Sequence, residues 1–356
     1  MLPVFRLTFI PIFLITGCAI IIRFFRYFKV NYIYIFQLDP EYRIREAQLI
    51  RCSLILLSIW LFTLILQLTI MKHEILGVHA SLFPLILFCL FGFFLISPFQ
   101  LFYRKARIEL IFTIWNILIA PLGVVRFKDF FLADIFCSLV KPFQDLIYVI
   151  CFFTSISWIN NSYSSCKYNI ILIPLVAILP FYWRFMQCLR KYYETKDSFP
   201  HLVNAGKYMT SMTVGVIGFI GVIWELDTRE YYALFSIIAT IYSYVWDITM
   251  DWGLLRDFVN NHFLRPKIIY PKFYYYFAIV SNLILRFAWT LTLFASNLMS
   301  QSLKWTFLIV SILTFCEAYR RIQWSLFRVE NENVNNFEKY RSILEVPQLP
   351  EEEEYH

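Results

Sequence analysis

The chain has 356 residues, of which 59% are hydrophobic and only 16% charged, with a formal net charge of +7. A soluble domain of this length does not need so much apolar surface, so the composition excludes an ordinary soluble enzyme and points to a polytopic membrane protein. The modest positive charge is what cytoplasmic loops supply, and it gives no reason to expect nucleic acid as a partner.

Uncharged apolar runs recur at 8–22, 53–71, 80–103, 111–125, 146–166, 168–183, 208–224, 231–246, 273–285 with 287–303, and 305–316. A spanning helix needs roughly 20 residues. Several runs reach that length only by absorbing a charge, as at Asp134, Lys207, Arg286 and Arg320. The reading is an all-α domain of about ten transmembrane helices over 1–341, followed by a flexible acidic cytoplasmic tail, 342–356. Run 8–22 lacks a clear small-residue cleavage site, so it reads as a retained first helix rather than a signal peptide.

Basic segments set the expected orientation. With both ends cytoplasmic, segments 184–207 and 256–272 fall in the cytoplasm, and the sequon Asn160-Asn161-Ser162 is lumenal. One conflict remains: segment 99–108, with Arg104, Lys105 and Arg107, would also be lumenal. Either a segment near 80–125 is re-entrant or the charge rule fails there.

The eight cysteines form no CxxC pair, so neither a zinc site nor a disulfide framework is indicated. The five histidines show no metal spacing, and no GxSxG or P-loop occurs. No enzyme, cofactor or metal site is therefore expected. A transferase acting on a diphospho substrate through Asp247 and Asp251 is a weak alternative, because their spacing has one residue too many for a DxxD pattern.

The informative residues are charges inside or beside apolar runs. Arg286 interrupts 273–303, Glu317, Arg320 and Arg321 follow 305–316, and Asp247 and Asp251 close 231–246. Such charges are costly at bilayer depth and mark pathways or sites. Asp247 and Asp251 are four apart and share a helix face. Glu317 stands three and four residues before Arg320 and Arg321, and Arg286 three before Trp289. Guanidinium groups offer rigid forks of donors that fit oxyanions, and neighbouring acids keep them oriented when the site is empty. The plainer alternative is that Asp247 and Asp251 simply pair with Arg286 or Arg321 to hold the bundle together. Arg320 and Arg321 could instead meet lipid headgroups.

At these same residues the chain resembles the EXS family, the membrane domain of eukaryotic phosphate exporters related to the xenotropic retrovirus receptor. The resemblance rests on Phe199-Pro-His-Leu-Val-Asn-Ala-Gly-Lys-Tyr208, Trp246-Asp-Ile-Thr-Met-Asp-Trp-Gly-Leu254, Leu285-Arg-Phe-Ala-Trp-Thr290, Glu317 through Arg321, and Phe327-Arg-Val-Glu-Asn-Glu-Asn-Val-Asn-Asn336 with Tyr340-Arg341. Weaker similarity runs back through Phe131-Leu-Ala-Asp134 and Ser97-Pro98 to the first span. It implies an EXS core at about 180–341 and a path for inorganic phosphate lined by Asp134, Lys207, Tyr208, Asp247, Asp251, Arg286, Arg320 and Arg321. Trp289 would be the gate, and Glu317 would orient the arginines. Cys137 stands where exporters tend to carry a polar amide. The chain begins at the first span, without the SPX domain of the large exporters, and so is similar to the short fungal members linked to retention of ER proteins. That resemblance implies a Golgi membrane protein returning to the cytosol the phosphate released by lumenal glycosylation. The partners it implies are phosphate, membrane lipids, Golgi glycosyltransferases or their sorting adaptors, and a second copy of the chain as a homodimer. The alternative from another class is a non-transporting adaptor for glycosyltransferase recycling, in which the buried charges are structural.

Overall fold

A computed structural model describes residues 2–39, 43–73, 81–100, 102–155, 171–255, 263–295 and 302–337. Among these residues all regular structure is helical. In hydrocarbon no water can satisfy a backbone N–H or C=O, so apolar segments close their hydrogen bonds internally as helices. The elements are α1 Leu2–Tyr27, α2 Tyr32–Ile35, α3 Glu46–His73, α4 Leu82–Ile96, α5 Arg104–Leu118, α6 Phe127–Phe136, α7 Val140–Thr154, α8 Leu172–Thr195, α9 Ser198–Ile223, α10 Arg229–Trp246, α11 Lys272–Arg286, α12 Thr290–Phe294 and α13 Leu303–Glu332.

Six helical stretches are long and apolar enough to cross a membrane, and a seventh arises if α6 and α7, bent by 70° at their junction, form one broken span. The remainder of the expected ten are shorter or more charged. Helices α4 and α5 have 15 residues each. The 30-residue α13 is apolar in its first half and charged in its second.

Side-chain pairings fix the direction of each helix. α1 runs parallel to α13: Arg6 reaches Ser311 at 3.3 Å, Phe9 packs on Phe315, and the Asn31 N–H donates to the Asn333 side chain at 3.1 Å. α3 runs antiparallel to α1, with Thr16 beside Ser53 and Trp60 donating to the Phe5 carbonyl. The α6–α7 span runs antiparallel to α13, since Arg328 lies over Phe127, Phe131 packs on Trp324 and Ser138 meets Arg320. The bundle therefore has an Asn333 face and a Lys304 face. α3 ends at the Lys304 face and α6 starts at the Asn333 face, so α4 and α5 together make only one net passage. α5 is the one that does not cross: Glu109, near its start, pairs with Lys128 in the first turn of α6.

Two expectations change as a result. Residues 97–100 and 102–107 lie at the Asn333 face with the described parts of the other basic segments, so the re-entrant alternative resolves the charge conflict. The number of net passages is odd, and the first residues of α1 and the end of α13 lie on opposite faces rather than the same one. The sequon 160–162 and the tail 342–356 lie outside the described residues. The helix ends that flank the sequon, Thr154 and Leu172, are at the Lys304 face. Cys151 is disulfide-bonded, against the expectation of no disulfide, and its partner lies outside the described residues. The sequence contains no CxxC pair, so cysteine spacing carries no signal of this bond.

The Asn333 face is closed by an aromatic cluster of Trp252, Trp324, Tyr270, Tyr275 and Phe327. A buried ion pair sits within it. Arg265 and Glu330 approach to 2.5 Å, and Arg265 also donates to the Trp252 carbonyl and to Asn331. Glu330 accepts from the Ile269 N–H and the Tyr275 hydroxyl. Gly253 has φ +65°, and a Cβ there would lie 2.5 Å from the Asn331 side-chain oxygen, so only glycine fits this turn. Removing one partner of such a pair leaves a buried charge unanswered, which costs roughly 3–5 kcal/mol. Arg265→Met is thus expected to lower the melting temperature sharply in detergent. Adding Glu330→Leu to it should recover part of the loss; no recovery would mean that the ion pair is not the cause.

Candidate functional site

Three interruptions of regular helix shape the site. The first is the bend between α6 and α7, which brings Ser138 into the bundle. The second is a π-helical segment, Asp247–Asp251, which extends α10 with the Trp252 N–H donating back to the Asp247 carbonyl at 2.8 Å. The third is the break between α11 and α12 at Phe287–Trp289. Such wide turns and breaks at bilayer depth recur where backbone is diverted to serve a site.

Asp247 is fully buried and forms the first centre. Its Oδ2 accepts from Arg286 Nε at 2.9 Å and Nη2 at 2.6 Å, and from Asn282 at 3.1 Å. Arg320 Nη1 stands 3.6 Å away. Glu317 holds Arg320 from one turn earlier on α13, at 2.8 Å. Ser138 Oγ accepts from both Arg320, at 3.0 Å, and Arg321, at 3.1 Å. One hydroxyl at the α6–α7 bend thus spaces two adjacent guanidinium groups.

Asp134 forms the second centre. Its Oδ1 accepts from Arg184 Nε at 2.9 Å and from the Tyr208 hydroxyl at 2.5 Å. Arg184 also donates to Gln187 at 2.6 Å. Lys207 and Arg321 lie within electrostatic range of both Asp134 and Asp247, so the two centres form one charged region.

The structure brings Asp134, Lys207, Tyr208, Asp247, Arg286, Arg320 and Arg321 together, with Glu317 orienting Arg320. Asp251 borders the same region, within electrostatic range of Lys207, Asp247 and Asp134. Asp251 accepts from Trp324 Nε1 at 3.0 Å and faces Arg328 at 3.8 Å, nearer the Asn333 face. The two aspartates therefore answer cations two turns apart on α13, although they share a helix face. Glu317 pairs with Arg320 only; Arg321 turns instead toward Ser138 and lies over the Trp324 ring at 4.5 Å. Trp289 stands toward the Lys304 face and donates to Thr240 at 3.1 Å. Cys137 donates its thiol to the Pro180 carbonyl at 3.6 Å.

The charge balance is uneven. Asp134 answers Arg184, Asp247 answers Arg286 and Glu317 answers Arg320, while Arg328 is held by Glu332 at 3.0 Å and faces Asp251 at 3.8 Å. Lys207 and Arg321 are both buried and have no carboxylate within ion-pair distance among the described residues. The Lys207 ammonium lies over the rings of Tyr208, at 4.3 Å, and Trp246, at 5.4 Å, and within electrostatic range of Asp251, Asp134 and Asp247. Rings offset part of the desolvation of a cation but not all of it. The six cations Arg184, Lys207, Arg286, Arg320, Arg321 and Arg328 thus face the five carboxylates Asp134, Asp247, Asp251, Glu317 and Glu332, which leaves one positive charge for a mobile anion to neutralise. No group of residues suited to holding a metal ion occurs among the described residues.

Arg184, Ser138, Asn282, Gln187 and Arg328 were not singled out from the sequence. Arg184 was read as part of a basic loop, but α8 continues to Thr195 and Arg184 is buried in it. Its spacing of three from Gln187 was the available signal. Ser138 carried none, because only the bend makes a lone serine significant.

The EXS family model matches residues 1–334. A Dictyostelium discoideum SPX and EXS domain-containing protein 1 is 34% identical over 96% of this chain, which covers 38% of that protein. Human solute carrier family 53 member 1 is 36% identical over 90% of the chain and 48% of its own length. A Danio rerio xenotropic and polytropic retrovirus receptor 1 homolog is 35% identical over the same shares. The chain spans about half or less of the length of these relatives. The helical bundle, its buried charges and the family match over nearly the whole length together place this chain in the EXS family, as a multi-pass membrane protein.

Proposed function

We propose that this chain transports inorganic phosphate across a membrane, through the region bounded by Asp134, Lys207, Tyr208, Asp247, Arg286, Arg320 and Arg321. The observation that carries the reading is the pair Lys207 and Arg321, both buried with no carboxylate at ion-pair distance among the described residues. A positive surplus at bilayer depth suits a small anion, and guanidinium and ammonium donors replace its hydration shell. The solute carrier name of the human relative favours transport, and the motif resemblance favours phosphate. Trp289 serves as the gate toward the Lys304 face, and Asp251 with Arg328 forms the departure end toward the Asn333 face. The basic segments collect at the Asn333 face, which makes it the cytosolic side by the positive-inside rule.

The motif resemblance to family members linked to retention of ER proteins supports a location in the Golgi membrane. Phosphate released by lumenal glycosylation then enters at the Lys304 face and leaves to the cytosol, which sustains glycosylation and retention of lumenal ER proteins. No catalytic step is involved. Phosphate flux in proteoliposomes tests the reading: uptake dependent on the purified chain is expected, and folded protein without any flux would favour the adaptor role instead. Ser138→Ala is expected to raise the half-saturating phosphate concentration several-fold, because both guanidinium groups lose a shared acceptor worth about 1 kcal/mol or more. An unchanged concentration dependence would remove Ser138 from the site.

A further inference from the structure

A second basic feature lies away from the buried charges, at the Asn333 face. A cavity of about 290 Å³ opens between the residues leading into α3 and the first turn of α5. Arg43, Gln100, Tyr103, Arg104 and Lys105 line it. Basic loops at this depth are ordinarily just solvated, so the question is whether this one is built to hold something.

Three observations say that it is. The wall is fixed: Arg107 spends its guanidinium on the carbonyls of Phe94, Ser97, Phe99 and Phe102, at 2.6 to 3.1 Å, which clamps the α4–α5 connection. Phe102 and Tyr103 are both left-handed, with φ near 50°, and Tyr103 supplies no side-chain acceptor to the first turn of α5. Tyr103, Arg104 and Lys105 at that helix start line the cavity. Finally, Ile96 and Phe99 present bare apolar surface beside it, 74% and 59% exposed. Apolar surface of that kind, at the end of an apolar helix, faces acyl chains.

We propose that this pocket binds the phosphorylated headgroup of an anionic lipid, with Arg43 and Arg104 gripping phosphate oxygens and the acyl chains running along α4. Clustered arginines at the cytosolic end of membrane helices recognise such headgroups through bidentate contacts. A free phosphorylated anion shares the headgroup's chemistry, but the adjoining apolar surface favours the lipid. The inference is independent of the phosphate path.

The test uses the full chain in phosphatidylcholine nanodiscs doped with phosphatidylinositol 4-phosphate, or with phosphatidylserine at equal charge. Lipid retention is read by native mass spectrometry and stabilisation by melting temperature. Retention of the phosphoinositide is expected to exceed that of phosphatidylserine several-fold. The double variant Arg43→Gln with Arg104→Gln should abolish the preference while melting like wild type in phosphatidylcholine alone. Equal retention of the two lipids, or an undiminished preference in the double variant, would overturn the site. Displacement by soluble inositol 1,4-bisphosphate at concentrations equal to the lipid would overturn the lipid assignment.

Discussion

Lys207→Met and Arg321→Met are each expected to reduce phosphate flux in proteoliposomes by roughly 10- to 100-fold, with little change in melting temperature. Each cation gives a charge-assisted hydrogen bond worth about 1.5–3 kcal/mol to a desolvated oxyanion, and 1.4 kcal/mol is a factor of ten. Methionine keeps the apolar stem and removes only the charge. Neither side chain has a carboxylate at ion-pair distance among the described residues, so removing it breaks no direct pair. Arg184→Met offers the contrast. It takes away the cation beside Asp134, which lies 2.9 Å from Arg184 Nε, and should lower stability as well as flux. Flux at the wild-type level in well-folded Lys207→Met and Arg321→Met protein would show that the surplus charge is not what carries the anion.

A tag fused to the first residue of this chain and a tag placed after α13 are expected to be accessible from opposite sides of the membrane. The physical basis is the parallel packing of α1 and α13, from Arg6 beside Ser311 to Asn31 beside Asn333. Two parallel helices that open and close a chain require an odd number of passages between their outer ends. Protease protection of sealed vesicles decides the matter, because each tag is either shielded or cut. Both tags cut, or both shielded, would mean that α1 and α13 do not run parallel in the membrane and that the pairings of Arg6 with Ser311 and Asn31 with Asn333 are not made there.

Much of the architecture was legible in the sequence, because a helix in lipid follows from an apolar run and little else. The charges at Asp134, Lys207, Asp247, Arg286, Arg320 and Arg321 were legible for the same reason: each stands out against uncharged neighbours. What could not be read was which cation answers which acid. Glu317 is placed to reach both Arg320 and Arg321, yet it holds only the first, because Ser138 and the Trp324 ring take the second. Ser138 and Arg184 owe their roles to a bend and to a helix end, and neither has a periodic signature. The count of passages also escaped the sequence. α5 resembles a short span in composition, and only its pairing with the start of α6 shows that it returns to the face it left.

The most direct test of the charge surplus is a cryo-EM map of the full chain in nanodiscs with saturating phosphate. The expected result is tetrahedral density within hydrogen-bonding distance of both Lys207 Nζ and the Arg321 guanidinium, between the Asp134 and Asp247 centres. Phosphate density that touches neither cation, or a Lys207 ammonium paired with a carboxylate, would contradict it.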